Sequence, residues 1–474
     1  MQNGKSCFLV GIGGSGMMPL AMILAGRGAV VAGSDRALDQ GRVPAKFDDL
    51  AAKGIRLFPQ DGSGVTSADQ LVIASAAVED TVADIVAANQ LGAQRASRAQ
   101  VLAELFNDSV LPIGVAGTSG KSTVTGMIGW ILHATGRAPT VMNGAVMKNF
   151  ATPGAPFASA LVGDGEPFVS EVDESDGSIA LYRPTVAVLN NVSLDHKEMA
   201  ELRQLFGDFI GGAEHAIVNA DNEEAAVLAR ALPAAKVTTF SIEGDADFAA
   251  RAIVEAPFSV SFQLVARGGA PVAVQLAVPG RHNVSNALAA IAASLAAGVP
   301  LAEAVAAIGG FTGLRRRFDL VGEAGGVSVI DDFGHNPDKI TATLQTLHAF
   351  PGRLRILFQP HGYGPLKVMR HELIEAFAGQ LAPGDVLVMP DPVYQGGTVA
   401  REVGSADIIL PLAEAGHDVR HIADRADAAA ALVLEARPGD RIVVMGARDD
   451  TLSLLAADIV AQLRASKESM PDRV

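Results

Sequence analysis

The sequence has almost no cysteine and no long apolar run. Its single cysteine, Cys7, excludes a disulfide framework, and its place in the apolar run Cys7–Val10 favours a buried core position. No stretch reaches the roughly 18 uninterrupted apolar residues that a transmembrane helix needs. The N-terminal segment runs into a predicted strand without a signal-peptide pattern. We therefore expect a cytoplasmic protein with no membrane span.

Positive charge is also scarce. The chain has 37 lysines and arginines against 52 aspartates and glutamates, a formal net charge of −15. Broad nucleic-acid binding needs a basic face, so that class is excluded, whereas one anionic small molecule needs only a turn and a few arginines. Hydrophobic residues are abundant and make up 49% of the 474 residues. Because one core rarely exceeds about 250–300 residues, the length predicts two or three domains.

A glycine-rich turn, Gly117–Ser122, follows the apolar run Leu111–Ala116 and precedes a predicted helix, Thr123–His133. Backbone N–H groups, the helix N-terminus and the ammonium of Lys121 would cradle a phosphate, and the next hydroxyl would reach a nucleotide-bound Mg²⁺. The alternative is a glycine-rich connection that happens to carry a lysine. The pattern predicts a phosphate site made by Gly117, Thr118, Ser119, Gly120, Lys121, Ser122 and Thr123.

A second glycine turn lies near the N-terminus. The pattern G-x-G-x-x-G at Gly11–Gly16 stands between a predicted strand, Ser6–Val10, and a predicted helix, Met17–Gly26. It favours a diphosphate at the helix N-terminus and a ribose or similar hydroxyl on Asp35, with a nucleotide-free turn as the alternative. Ser75 ends a later strand and would lie at the same sheet edge. The predicted contacts are Gly13, Gly14, Ser15, Gly16, Asp35 and Ser75.

Carboxylates and a histidine follow two strands of the middle region. The segment Glu171–Asp176 carries four carboxylates after the strand Pro167–Ser170, where a nucleotide-bound Mg²⁺ needs oxygen ligands. His196 follows the strand Thr185–Val192 beside Asp195, and its spacing from Glu171 suggests a second metal site. The alternatives are an acidic surface loop and a structural histidine.

Further polar groups stand at a helix start and in a basic run. His282, Asn283 and Asn286 open an alanine-rich helix, Ala287–Ala297, where asparagine amides could either read an adenine edge or cap the helix. The run Arg315–Phe318 could be a solvated charge run or could clamp a polyphosphate between two predicted domains.

The last third alternates strands, polar loops and helices. The strand Val327–Ile330 leads into Asp331–Pro337, and the strand Arg355–Phe358 leads into Gln359–Pro365. This alternation predicts another α/β layer with a site carried on loops at the carboxyl edge of its sheet.

Together these motifs resemble the Mur ligase family over nearly the whole chain. In the family's order they are G-T-x-G-K-[ST] at 117–122, E-x-D-E-S-D at 171–176, D-H at 195–196, G-R-H-N-x-x-N at 280–286, R-R-F at 316–318, D-D-[FY]-G-H at 331–335 and F-Q-P-H at 358–361. The N-terminal G-I-G-G-x-G-M and the later G-S-D are similar to two branches of the family. One attaches L-alanine to UDP-N-acetylmuramate, and the other attaches a whole tripeptide.

The resemblance implies an α/β fold of three domains. A Rossmann-like domain at 1–107 would bind the UDP-sugar, a central P-loop ATPase-type domain at 108–313 would bind ATP, and a Rossmann-like C-terminal domain at 314–474 would close over the site. The implied ligands are ATP, two Mg²⁺ ions, UDP-N-acetylmuramate and an amino acid or short peptide, in peptidoglycan precursor synthesis. We expect a monomer or a weak homodimer.

The implied reaction transfers a phosphoryl group from ATP to the lactyl carboxylate of UDP-N-acetylmuramate, and an amine then attacks the acyl phosphate. Arg317 (or Arg316) would contact the γ-phosphate, Asp331 the ATP ribose, and His335 would lie near the amine. The implied catalytic residues are Lys121, His335 and Arg317. The adenine side is assigned to His282, Asn283 and Asn286, and the metal ligands are Ser122, Glu171 and His196.

Two departures from the family pattern bear on the amine. The arginines that usually hold the amino acid are replaced by Gly362 and Pro365, and Arg448 is a hypothetical substitute for them. The acceptor is therefore L-alanine or, alternatively, a peptide or another amino acid. A nucleotide-dependent oxidoreductase would leave Lys121 and Glu171 unused, and retention of Lys121, Ser122, Glu171 and His196 argues against a non-catalytic paralogue that only binds the sugar nucleotide.

Overall fold

The computed structural model describes residues 4–76, 78–193, 197–393, 401–447, 449 and 451–468. The chain divides into two compact units. The first unit comprises Met1–Glu255 with Ser259–Leu314, and the second comprises Ala256–Phe258 with Arg315–Val474. Each unit is built from largely parallel β-sheet and α-helices, and the central strands of the sheets are buried.

The first sheet of the first unit has five parallel strands in the order β3-β2-β1-β4-β5. The strands are β1 (Ser6–Val10), β2 (Val30–Ser34), β3 (Arg56–Phe58), β4 (Leu71–Ala74) and β5 (Arg95–Ser97). The helices are α1 (Met17–Gly26), α2 (Arg36–Asp39), α3 (Pro44–Ala52), α4 (Ala83–Leu91) and α5 (Arg98–Asn107). The strand order reverses between β1 and β4, and such a switch point opens a crevice at the carboxyl edge of the sheet.

The second sheet of the same unit has ten strands in the order β15-β14-β13-β12-β11-β10-β6-β9-β7-β8. They are β6 (Leu111–Ala116), β7 (Thr140–Met142), β8 (Ala160–Leu161), β9 (Pro167–Glu171), β10 (Val186–Leu189), β11 (His215–Asn219), β12 (Val237–Ser241), β13 (Phe248–Ala256), β14 (Ser259–Ala266) and β15 (Val272–Leu276). The central strand β6 is parallel to both of its neighbours, β9 and β10, so the ends of all three meet at one edge.

The helices of this sheet bury apolar faces. They are α6 (Lys121–Ala134), α7 (Met199–Gly212), α8 (Glu223–Arg230), α9 (Arg281–Ala296) and α10 (Leu301–Ile308), with 3₁₀ turns at Ser178–Leu181 and Ala234–Lys236. The alanines of α9 are buried in the same apolar core as α6. The alanine-rich helix was predicted to start at Ala287, but it begins at Arg281, because Gly280 ends the preceding chain with φ +90°.

The second unit has one six-stranded sheet in the order β16-β17-β21-β18-β19-β20. Its strands are β16 (Asp319–Ala324), β17 (Val327–Asp332), β18 (Leu354–Gln359), β19 (Val386–Met389), β20 (Val419–His421) and β21 (Arg441–Gly446). Its helices are α11 (Pro337–His348), α12 (Tyr363–Val368), α13 (Arg370–Gln380), α14 (Ala406–Glu414), α15 (Arg425–Glu435) and α16 (Thr451–Glu468). Only β16 is antiparallel to its neighbour, so β17, β21 and β18 end at one edge.

The α/β class predicted from the sequence is confirmed by these three sheets. In the part of the chain that the structure describes, no helix combines the length and apolar character needed to cross a membrane.

Candidate active site

The glycine turn of the first unit adopts a shape that needs glycine at two positions. Gly117 has φ +135° and Gly120 has φ +82°, both in the region that disfavours side chains. A Cβ on Gly120 would lie 2.3 Å from Asn190 Nδ2, and one on Gly117 would lie 3.1 Å from the backbone of Asn191. The turn therefore packs closely against the residues that follow β10.

Asn191 fixes the turn through its side-chain amide. Its Oδ1 accepts hydrogen bonds from the backbone N–H of Ser119 and the hydroxyl of Thr118, both at 2.8 Å, and its Nδ2 donates to Ser119 Oγ at 2.9 Å. Helix α6 starts immediately afterwards, and among the described residues no side chain caps it. The first N–H groups of α6 are therefore the ones placed to meet an anion.

Lys121 and Ser122 each contact one carboxylate of the predicted acidic segment. Lys121 Nζ donates to Glu174 Oε2 at 2.9 Å and to the carbonyl of Gly117 at 2.8 Å. Ser122 Oγ donates to Glu171 Oε2 at 2.7 Å. Glu171 ends β9, which lies beside β6, so the parallel pairing of these strands brings the two motifs together.

These groups fit a magnesium–nucleotide. A hydroxyl and a carboxylate in contact are the hard oxygen ligands that Mg²⁺ prefers. Asn190, next to Gly120, has a buried Oδ1 with no hydrogen-bond partner among the described residues, which leaves an acceptor for a ligand donor. Within the described ranges, no three histidine, cysteine, aspartate or glutamate side chains converge to hold a metal ion by themselves.

The asparagines predicted to read adenine form a buried chain of amides. Asn190 Nδ2 donates to Asn286 Oδ1 at 3.0 Å, Asn286 Nδ2 donates to Asn283 Oδ1 at 3.1 Å, and Asn283 Nδ2 donates to the carbonyl of Pro279 at 2.7 Å. This chain ties α9 to the phosphate turn. It is not a helix cap, because among the described residues no side chain caps α9. His282 lies on the exposed side of the helix.

The first glycine turn lies at the switch point between β1 and β4. Both oxygens of Asp35 accept backbone N–H groups at 2.8 Å, Oδ2 from Gly13 and Oδ1 from Ala37. Asp35 therefore holds the turn and caps α2 at once. A Cβ on Gly14 would lie 3.2 Å from the carbonyl of Gly11, so the turn is tight. Ser75 follows β4, the strand adjacent to β1, as predicted from its position.

Arg98 lies at this first turn, and none of the sequence motifs predicts it. A Cβ on Gly16 would lie 2.9 Å from Arg98 Nη1, so the guanidinium rests against the N-terminus of α1. The same guanidinium is 3.6 Å from Asp176 Oδ2, at the end of the acidic segment. Its position in the sequence could have indicated this role, because Arg98 immediately follows β5 and lies at the same sheet edge as Ser75.

In the second unit, the two arginines of R-R-F have different environments. Arg316 is buried and donates to the carbonyls of Gly446 at 2.6 Å and Asp449 at 3.0 Å. Its Nε also lies 3.4 Å from Asp331 Oδ1. The guanidinium carbon of Arg317 lies 4.5 Å from the ring centroid of Phe333, and that of Arg316 lies 5.2 Å from the same centroid.

Asp331, predicted to contact the ribose, is buried at the end of β17. Its Oδ2 accepts a hydrogen bond from Ser453 Oγ at 2.8 Å, and its Oδ1 faces Arg316. Burial raises the pKa of Asp331 to about 6, although the charge of Arg316 opposes the shift. Both carboxylate oxygens of Asp331 therefore face side chains of the second unit.

His335 lies in the loop after β17, beside His361 from the loop after β18. The two rings are 5.5 Å apart and perpendicular, and His335 Nδ1 is 2.9 Å from the carbonyl of Phe333. Burial, together with the nearby charges of Lys339 and Arg317, lowers the pKa of His335 to about 4. The imidazole is therefore neutral at pH 7 and able to accept a hydrogen bond.

The chain is similar to known proteins over nearly its whole length. A UDP-N-acetylmuramate–L-alanine ligase of Streptomyces coelicolor is 37% identical over 454 residues, which cover 93% of this chain and 94% of the relative. The chain belongs to the Mur ligase family. A ligase of the same name from Geobacter sp. is 34% identical over 473 residues, covering 97% of this chain and 98% of the relative.

Three Mur ligase family models match successive parts of the chain. The catalytic-domain model of the family matches residues 8–109, the middle-domain model 115–294 and the glutamate ligase domain model 316–448. As a member of this family the chain is a ligase, and the predicted three-domain α/β fold is confirmed.

Two solved structures share the fold of this Mur ligase. A UDP-N-acetylmuramate–alanine ligase from Thermotoga maritima has a TM-score of 0.80 at 24% identity, covering 97% of this chain and 99% of that one. A murein peptide ligase from Psychrobacter arcticus has a TM-score of 0.69, also at 24% identity and with the same coverage.

Two of the predicted residues lie outside the described part of the chain. They are His196, assigned to a second metal, and Arg448, the hypothetical substitute for the missing arginines. Gly362 and Pro365, which replace those arginines, lie at the start of α12, where Gly362 precedes the helix with φ +155°.

Proposed function

We propose that this Mur ligase uses ATP to join the lactyl carboxylate of UDP-N-acetylmuramate to L-alanine, in peptidoglycan precursor synthesis. The observation that carries the proposal is the meeting of Lys121, Ser122 and Glu171 at one glycine turn. Curated relatives named for this reaction match nearly the full length of the chain, which supports the choice of substrates.

The first step forms an acyl phosphate. An oxygen of the lactyl carboxylate attacks the γ-phosphorus, and ADP leaves with the electron pair of the broken P–O bond. Lys121, with the N-terminus of α6, stabilises the phosphate charge, and we assign Arg317 to the γ-phosphate because Arg316 is committed to backbone carbonyls. A Mg²⁺ ion on Ser122 and Glu171, and a second on His196, would neutralise charge on the transferring group.

The second step forms the amide. The amine nitrogen attacks the acyl carbon, inorganic phosphate leaves, and the nitrogen loses a proton. We place the neutral imidazole of His335 next to this amine, where it orients the nucleophile and accepts a hydrogen bond from it. His282, Asn283 and Asn286 are assigned to the adenine side, and Asp331 to the ribose.

The remaining assignments concern the sugar nucleotide and the domains. We assign the UDP diphosphate to the turn of Gly13, Gly14, Ser15 and Gly16, with Asp35 and Ser75 nearby. We retain domain boundaries at 1–107, 108–313 and 314–474. The reaction would take place in the cytoplasm, where ATP is available, in a monomer or weak homodimer.

A second acceptor class is favoured by one observation. Gly362 and Pro365 offer no cation where the family usually has arginines that hold the amino acid. The alternative acceptor is a peptide, which would make the reaction one of recycling, or a different amino acid.

A substrate panel tests both versions. Purified protein is given ATP, Mg²⁺, UDP-N-acetylmuramate and single amino acids or short peptides, and phosphate release is measured with product mass. Phosphate release that requires both the sugar nucleotide and L-alanine supports the first version, and release that requires a tripeptide supports the second. Phosphate release independent of the sugar nucleotide, or none with any amine, would contradict the proposed function. The Lys121→Ala variant is the inactive control.

A further inference from the structure

We propose that Glu174 is a positioning residue that holds the ammonium of Lys121 in place and competes with the nucleotide phosphates for it. This inference rests on the proposed function, because it assumes that Lys121 meets ATP. It assigns a separate role to the second glutamate of the acidic segment.

The contact between Glu174 and Lys121 is largely withdrawn from solvent. The Lys121 Nζ to Glu174 Oε2 distance is 2.9 Å, and the side chains are 19% and 4% exposed respectively. A buried carboxylate that loses its cation is left with an uncompensated charge, which is strongly unfavourable. The pair therefore constrains Lys121, whose long side chain would otherwise sample many rotamers.

The backbone around Glu174 is fixed in a turn. The carbonyl of Glu174 accepts the N–H of Gly177 at 3.1 Å, and the carboxylate of Asp173 accepts the N–H of Ser175 at 3.0 Å. Glu174 is therefore presented to Lys121 by a rigid segment.

The two glutamates of this segment have different partners. Glu171 accepts a hydrogen bond from the Ser122 hydroxyl, whereas Glu174 contacts the Lys121 ammonium. Since Lys121 and Ser122 are adjacent, one segment sets both the proposed metal ligand and the phosphate-binding cation.

Glu174 should have two opposing effects on catalysis. It keeps Nζ beside the carbonyl of Gly117, ready for the phosphates, and so favours turnover. Its negative charge also competes with the phosphates for the same ammonium and so weakens ATP binding. Removing the charge while keeping the shape should separate these effects.

The test is Glu174→Gln, with ATP binding measured by calorimetry in Mg²⁺ and without acceptor, and steady-state kinetics measured separately. We expect the Kd for ATP to fall by about threefold to tenfold and kcat to fall by at least about tenfold. Glu174→Asp keeps the charge one methylene further away, so its kcat should lie between those of the wild type and Glu174→Gln. It also carries the test if the glutamine variant does not fold.

The matched control is Glu243→Gln. Glu243 is an exposed glutamate that pairs with Arg281 at 3.0 Å, so its variant removes one negative charge from a solvent-exposed ion pair outside the acidic segment. Its Kd and kcat should equal those of the wild type. A purely structural role for Glu174 would lower the melting temperature and the active fraction while leaving Kd unchanged.

Failure of the Glu174 inference and failure of the proposed function give different results. If the wild type binds ATP but Glu174→Gln binds it with the same or weaker affinity, the inference is overturned and the proposed function stands. If the wild type does not bind ATP at all, the proposed function falls and the inference falls with it.

Discussion

At the scale of single residues, the phosphate turn requires glycine because there is no room for a side chain. Gly120 has a positive φ, and the Cβ of any other residue at this position would clash with the side chain of Asn190. The glycine pattern in the sequence indicated a phosphate turn, but the close approach of Asn190 could not be read from it. Local sequence predicts the backbone conformation, whereas the neighbour that enforces it comes from another strand.

Replacing this glycine gives a first prediction. Gly120→Ala should weaken ATP binding at least about tenfold and lower the free energy of unfolding by about 1–3 kcal/mol, since the methyl group is strained by φ and clashes with Asn190. Gly136→Ala is the control, because Gly136 has φ +74° with no atom within 4 Å of its Cβ position. It should lose stability only modestly and bind ATP normally. Equal ATP affinity in both variants would refute the steric argument.

The burial of His335 gives a prediction about pH. Its pKa is lowered from 6.5 to about 4 in the folded protein, so the unfolded chain takes up a proton first as the pH falls. The stability contributed by the neutral ring is complete above pH 6.5 and is lost as the pH falls toward 4. In urea unfolding between pH 7 and 4.5, His335→Gln should lose less stability than the wild type, by about 1–3 kcal/mol. Parallel pH curves for the two proteins would argue against the burial effect.

Asp331 should act in the opposite direction. Its pKa is raised from 3.8 to about 6, so the folded protein takes up this proton first and gains stability as the pH falls through 6 toward 3.8. Asp331→Asn removes that gain, and its stability should therefore fall more steeply with acid than that of the wild type. The same urea series measures it, and a shallower curve for the variant would contradict the shifted pKa.

At the scale of elements, the position of polar residues at the strand ends could be predicted from the sequence, but their hydrogen-bond partners could not. The polar residues after β1, β4, β6, β9 and β17 were placed at sheet edges from the rule that parallel strands present their carboxyl ends together. Asp35, Asn283 and Asn286, which were predicted to face ligands, also form hydrogen bonds within the protein, and their roles toward ligands stay predictions. Residue type and position alone do not reveal such internal contacts, because a ligand contact needs a polar group at the same edge.

Helix α5 gives a prediction at this scale, because its first residue reaches the N-terminus of α1. If the UDP diphosphate binds at the first glycine turn as proposed, the guanidinium of Arg98 would contribute a charge-assisted contact to it. Arg98→Gln should then raise the KM for UDP-N-acetylmuramate at least about tenfold and leave the Kd for ATP within about twofold. Arg95→Gln is the matched control, as Arg95 lies three residues earlier on β5 and pairs with exposed Asp80 at 2.8 Å. An unchanged KM in Arg98→Gln would remove Arg98 from the sugar-nucleotide site.

At the scale of the whole molecule, an acidic protein carries local sites for anions. With a formal net charge of −15, its attraction for nucleotides must come from turns, helix termini and single cations. The Mur ligase resemblance rested on seven motifs spread over the chain, and the family match confirmed it. The amine specificity could not be predicted, because the residues that usually anchor the amino acid are replaced.

Ligand binding should be visible in the stability of the whole chain. At about 100 times its Kd, a ligand that binds only the folded state adds about 2.7 kcal/mol, so Mg²⁺–ATP and UDP-N-acetylmuramate should each raise Tm by a few degrees. NAD at the same concentration is the control and should leave Tm unchanged. A shift with NAD alone would favour the oxidoreductase interpretation of the first glycine turn.

The chain of amides from Pro279 to Asn190 also bears on how the protein is made. The phosphate turn is translated well before α9, yet its partner Asn190 is held by Asn286, 96 residues later than Asn190. Because chains emerge N-terminus first and domains fold as units, we expect the turn to be translated before it can adopt its folded conformation. A nascent chain stalled before Pro279 would therefore carry the phosphate motif without a competent nucleotide site, and ATP could not act as a ligand for the protein until the start of α9 had emerged.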